Sequence, residues 1–168
     1  MRITHKSSLL ELQDLPIDIG YASEKVELKD PQGTLIAIGG QNGTTQLLVS
    51  APFIDDALIA QLKELDTLLN INALNAITKA LVVAHNSHTL PMMEEWFSGY
   101  DYDGAFGDFY GVRLTNDELA KALFIISKDG AVFHHEILND LDAPFSIEKC
   151  IIKISAAINC YTGKGCHG

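Results

Sequence analysis

The chain is poor in cysteine, in positive charge and in long apolar runs. Its three cysteines, Cys150, Cys160 and Cys166, all fall near the C-terminus, and an odd set placed so late is no secreted disulfide framework. Lys and Arg number 12 against 22 Asp and Glu, a formal charge of −10. Such a surface repels phosphate backbones, which argues against nucleic acid as a partner. The longest apolar runs, such as ALVVA and ALFII, stop well short of a membrane span, so no membrane is expected either. The opening MRITHKSS lacks the apolar segment of a secretory signal, and a cytoplasmic location is the expectation. No internal repeat, linker or low-complexity tract interrupts the sequence before its last few residues. Also missing is a reactive group where one is often found. At SAPFIDDALIAQ, residues 50–61, a strand end, a Pro turn and a helix start meet without a thiol, a hydroxyl nucleophile or a glycine loop.

What is present is a core. Apolar residues make up 47% of 168, enough for one domain over residues 1–160, with 161–168 a flexible Gly/Cys/His tail. The opening ITHKSSLLELQDLPIDIG suits a small β-hairpin. VELKDPQGTLIAIGG places a Pro-Gln-Gly turn between two strands, and QLLVSAP suits a central strand. Leu58, Leu62, Leu65, Leu68 and Leu69 recur at three- and four-residue spacing, predicting a helix from Asp55 or Asp56 to about Leu69. Its aspartates sit where an N-cap and the helix dipole favour a carboxylate. KALVVAH reads as a buried strand and LPMMEEWF as a short helix with Pro91 in its first turn. AKALFIIS and AVFHHEIL flank Lys128-Asp129-Gly130, a hairpin signal. Ser146 is expected to cap a last amphipathic helix with Ile147, Cys150, Ile151, Ile154 and Ala157 or Ile158 on one side. The order predicts an α/β protein of thioredoxin-like fold. A central mixed β-sheet with one parallel and one antiparallel pair is flanked by helices, and an N-terminal β-hairpin is added to it.

Several blocks, in order, resemble the thiol peroxidase branch of the peroxiredoxins. GTLIAIGGQNGTTQLLVSAPFIDD resembles the run into that family's active site, which reads Pro, two residues, Asp, Thr, two residues, Cys. HTLPMMEEWFSG resembles the segment that carries the resolving cysteine, AFGDFYGVRL a block ending in Tyr-Gly-Val, and LAKALFIISKDGAVFHHEIL the hairpin that begins at the active-site arginine. Carried across, the resemblance keeps Pro52 and Asp55. It puts Asp56 in place of the peroxide-binding threonine, Ile59 in place of the peroxidatic cysteine, Ser98 in place of the resolving cysteine and Lys121 in place of the arginine. A peroxidatic site needs a thiolate, and a second thiol to resolve the sulfenic acid it becomes. Ile59 has no lone pair, Asp56 adds negative charge, and Lys121 lacks the planar fork that grips two oxygens. The resemblance therefore implies a degenerate thiol peroxidase-like protein, without cofactor, that has lost peroxidase activity and serves in regulation or in binding a small molecule or a protein partner. It also implies a homodimer.

Other groups keep alternatives open. Asp55 and Asp56 suit helix capping, cation binding or pairing with Lys121. His85 and His88 lie just past the KALVVAH strand and are weak metal candidates on the same rim. Adjacent His134 and His135 must face opposite ways on a strand. Tyr100, Tyr102, Phe106, Phe109 and Tyr110 suit core packing and a dimer interface equally. Cys160 and Cys166, with five residues between them in a glycine-containing tail, leave a second function open: a thiol–disulfide oxidoreductase or redox sensor. Cys150, on the apolar side of the last helix, is expected to be an inert core thiol.

Overall fold

A computed structural model of the chain describes residues 1–5 and 8–159. Cys160, Cys166 and the rest of the tail lie outside the described residues, and with them the redox reading.

Nine strands and three helices follow one another among these residues. Strands β1 (Arg2–His5) and β2 (Ser8–Glu11) form the separate N-terminal hairpin. The other seven build one mixed sheet: β3 (Val26–Lys29), β4 (Leu35–Ile38), β5 (Gln46–Ser50), β6 (Thr78–Val83), β7 (Trp96–Tyr100), β8 (Ala122–Ile126) and β9 (Val132–Ile137). Their spatial order is β4-β3-β7-β6-β5-β8-β9, with β5, β6 and β7 parallel and the other pairings antiparallel. Residue patterning explains the order. QLLVS of β5 and ALFII of β8 are buried on both faces, as central strands must be, whereas VELK of β3 alternates buried and exposed residues.

Helix α1 (Asp56–Ile71) lays Leu58, Leu62, Leu65 and Leu69 on one face of the sheet. Helix α3 (Ile147–Ile158) adds Cys150, Ile154 and Ala157 to the same apolar cluster, with Ile147, Ile151 and Ile158 packed at its margin. On the opposite face a second cluster joins Ile3 and Leu12 of the N-terminal region to helix α2 (Ala105–Tyr110). There Phe106 stacks on Tyr110 with centroids 4.5 Å apart, and Phe124 meets Tyr110 edge-on. Tyr110 also donates its hydroxyl to the Glu24 carbonyl at 2.8 Å. That hydroxyl lies against Gly39, where an added Cβ would fall 2.0 Å from it.

The structure corrects two expectations and adds a helix. Residues 90–97 are not a helix: a loop runs through Leu90–Glu95 and Trp96 opens β7, so the parallel set has three strands rather than two. Glu95 takes a φ of 67°, in the left-handed region that ends any helical run, and from Trp96 the side chains alternate between faces with a period of two. Trp96 is drawn into the sheet because its indole N–H reaches the Asp66 carboxylate on α1, at 2.9 Å. The aromatic stretch holds the added helix, α2, whose start is satisfied from a distance. The buried Asp101 carboxylate accepts the N–H groups of Phe106 and Gly107, each at 2.8 Å. The second correction is at Ser146, which occupies the N-cap position of α3 but whose side chain makes no capping bond; its own N–H goes to Glu136 at 2.9 Å.

Candidate functional site

The C-terminal ends of β5 and β6 and the start of β8 meet at one edge of the sheet. Ser50 pairs with Val82 and with Ala122, and Ser50 Oγ donates to the Ala120 carbonyl at 2.8 Å. From there Ala51 and Pro52 turn the chain into α1, so Pro52 and Ala51 are buried while Asp55 and Asp56 are exposed. Asp55 is the N-cap. It lies in extended backbone and its carboxylate accepts the Leu58 N–H at 2.8 Å. Ile59 follows in the first helical turn and is half-buried.

Lys121 stands at this edge, one residue before β8, with only 5% of its surface exposed. Its ammonium donates to the Ala143 carbonyl at 2.8 Å and lies 5.5 Å from the centre of the Phe145 ring. The segment between β9 and α3 therefore covers the cation, and Gln61 of α1 anchors that segment by accepting the Phe145 N–H at 2.9 Å. Burial pushes the Lys121 pKa below its ordinary value, while the carboxylates of Asp55, Asp142 and Asp140 pull it back up. Asp55 thus acts on Lys121 through space while its own hydrogen bond goes to the helix.

His85 and His88 lie past β6, as expected, and share a partner that residue spacing did not mark. Glu118 receives His88 Nε2 at 2.9 Å on one oxygen and His85 Nε2 at 3.8 Å on the other. Tyr100 donates to the His88 carbonyl at 3.1 Å, tying this loop to β7. A pocket of about 400 Å³ opens beside it, lined by Lys29, His85, Asn86 and Tyr102 among others. Among the described residues no group of three or more His, Cys, Asp or Glu is arranged to hold a metal ion. Ser98 is not at this edge. It sits mid-way along β7 opposite Leu81, with β6 between it and β5.

The two strand histidines divide as their alternation requires. His134, paired with Ile125, faces the α3 side, where burial and then Lys149 and Lys153 push its pKa down to about 4. His135, paired with Phe124, faces the other cluster and is half-buried, its pKa also lowered by burial. Cys150 is 2% exposed and burial, with Glu136 behind it, pushes its thiol up to about 12. A thiol so disfavoured as thiolate is a packing group. Phe106 and Tyr110 of the aromatic stretch are core, whereas Tyr102 and Phe109 are exposed.

No protein-family model matches the sequence, and no curated protein matches it. Solved structures do match in shape. A peroxiredoxin-like protein from Aquifex aeolicus superposes with a TM-score of 0.80 at 16% identity, covering 94% of this chain and 97% of the other. The thiol peroxidase from Chromobacterium violaceum gives 0.73 at 15%, covering 92% and 95%. Mycobacterium tuberculosis AhpC gives 0.66 at 13%, covering 84% and 93%. The fold is that of the peroxiredoxins. Within this peroxiredoxin fold, Pro52, Asp55, Asp56, Ile59 and Lys121 gather at one sheet edge. Ser98 lies apart from them, in the middle of β7, just past the stretch that was expected to be helical. Among the described residues no helix is long and apolar enough to cross a membrane.

Proposed function

We propose that this chain is a peroxiredoxin-fold protein without peroxidase chemistry, which works by binding a partner. The observation that carries the reading is the state of the edge where a peroxidatic sulfur would stand. Ile59 offers carbon only, and the nearby cation, Lys121, already spends its ammonium on the Ala143 carbonyl beneath Phe145. Peroxide reduction needs a sulfur lone pair to attack one oxygen while a cation steadies the departing one. Here the first group is missing and the second is engaged. Asp56, exposed in the first helical turn, adds negative charge where a thiolate would have to form.

The same reading makes the protein a cytoplasmic homodimer. The exposed Tyr102 and Phe109 rings support an interface between two copies, since aromatic residues are enriched at such contacts. The test is a thioredoxin-coupled peroxide assay on the wild type and on Ile59→Cys. Neither consumes hydrogen peroxide above the buffer rate if the reading holds, because a sulfur restored alone still meets Asp56 and a covered Lys121. Turnover at peroxiredoxin-like rates by the wild type refutes the loss of chemistry. Strong turnover by Ile59→Cys refutes the claim that the surroundings have changed with it.

A further inference from the structure

The loop that replaces the expected helix leaves one edge of β7 open. The Asp101 N–H donates to the Val83 carbonyl at 2.9 Å, which fixes how β7 is turned: Phe97, Gly99 and Asp101 direct their main-chain groups to β6. Trp96, Ser98 and Tyr100 direct theirs to the other side. On that side β3 meets β7 at a single pair, Lys29 with Tyr100. Continuing the antiparallel register would set Pro31 against Ser98, and proline has no N–H to give. The chain turns away instead, with Gly33 N–H closing on the Asp30 carbonyl at 2.9 Å. The Trp96 N–H is taken by the Met93 carbonyl, at 3.3 Å. Among the described residues nothing pairs the outward N–H and C=O of Ser98, and the Ser98 hydroxyl is buried without a partner too.

This open edge forms the floor of a groove of about 660 Å³. Its walls are apolar: Ile36 on one side, Leu90, Met92 and Met93 on the other, with Phe97 half-exposed. Met92 is fully exposed, and methionine adapts its shape to what it meets. Asp30 and Glu94 stand on the rim of a protein that already carries a charge of −10.

From this we infer that the groove binds an extended segment of a partner protein, rich in apolar residues and flanked by Lys or Arg, which adds as a strand to β7 at Ser98. One residue of the segment gives its C=O to the Ser98 N–H and its N–H to the Ser98 C=O. Its neighbours send alternate side chains to the Ile36 and Met92 walls, and its basic flanks meet Asp30 and Glu94. The inference names the partner for the binding role proposed above and rests on that reading. Peroxide turnover and peptide binding are read in separate assays, so either can fail alone.

The experiment is selection of short random peptides displayed on phage against the full-length protein, followed by fluorescence anisotropy with the synthetic winners. The inference expects sequences that alternate apolar residues and carry Lys or Arg. Met92→Ser, an uncharged change at a surface position that leaves folding intact, weakens them by about tenfold, the equivalent of one lost apolar contact. N-methylation of one alternate set of peptide amides also weakens binding by about tenfold, the worth of one hydrogen bond, while methylation of the other set does not. Hydrogen exchange at the Ser98 amide slows when peptide is added. Four results overturn the inference: no enrichment over a bare-support control; winners that are acidic or helical; unchanged affinity for Met92→Ser; or a Ser98 amide already protected by raising the protein concentration alone, which makes a second copy the occupant.

Discussion

Acidification should destabilise this fold through His134, and the size of the effect can be worked out. The imidazole is 7% exposed on the α3 side of β9, with Lys149 and Lys153 as cationic neighbours, and its pKa is held at about 4. The unfolded chain restores the ordinary histidine value of about 6.5. Between these two values the unfolded state binds the proton and the folded state does not, so stability falls as pH falls through the window. At pH 5 the full shift corresponds to about 2 kcal/mol lost relative to pH 7.5, and screening of the lysine contributions by solvent reduces this to about 1 kcal/mol. His135, also depressed by burial, adds a loss of the same sign. The assay is urea unfolding at pH 7.5 and pH 5, on the wild type and on His134→Gln. The variant should be less sensitive to pH than the wild type by about 1 kcal/mol, whatever its stability at pH 7.5. Equal pH sensitivity in the two proteins, or a wild type that gains stability at pH 5, would refute the burial of a neutral imidazole at this position.

Three further predictions follow from single contacts. Asp55→Ala removes the carboxylate that accepts the Leu58 N–H and should cost about 1 kcal/mol in chemical unfolding; no loss would show that α1 starts without it. Leu65→Ala empties a fully buried position under α1 and should cost about 3 kcal/mol, read from the same unfolding curves. With Cys160 and Cys166 changed to Ser, the remaining thiol of Cys150 should resist a thiol reagent in the native protein and react fully after denaturation; rapid native labelling would contradict its burial.

The sheet and the two long helices were legible because each carries its own periodicity. The Leu58, Leu62, Leu65 and Leu69 stripe, the buried runs of β5 and β8 and the Lys128-Asp129-Gly130 turn are local signals, and each forms the element expected. The residues at the edge of the sheet were singled out by the resemblance and not by periodicity: it lined up Pro52, Asp55, Asp56, Ile59 and Lys121, and the structure places them at strand ends and a helix start. What failed depended on distant partners. Residues 90–97 have helix-forming Met and Glu, yet the Trp96 indole is held by Asp66 and β6 offers Trp96–Tyr100 a strand to pair with. Helix α2 was hidden for the converse reason: its N-cap is Gly104, and the Asp101 carboxylate, four residues before the helix, accepts the Phe106 and Gly107 N–H groups from there. The cover over Lys121 and the bridge from Glu118 to two histidines are contacts between loops, which no spacing along the chain encodes.

The most direct measurement of the central claim is hydrogen peroxide consumption by the purified wild type with a large excess of a dithiol reductant, beside a variant in which Cys150, Cys160 and Cys166 are all serine. The account predicts that the two are indistinguishable and match the reductant alone. Catalytic consumption by the wild type that disappears in the cysteine-free variant would mean that another sulfur does the work Ile59 cannot, and would contradict it.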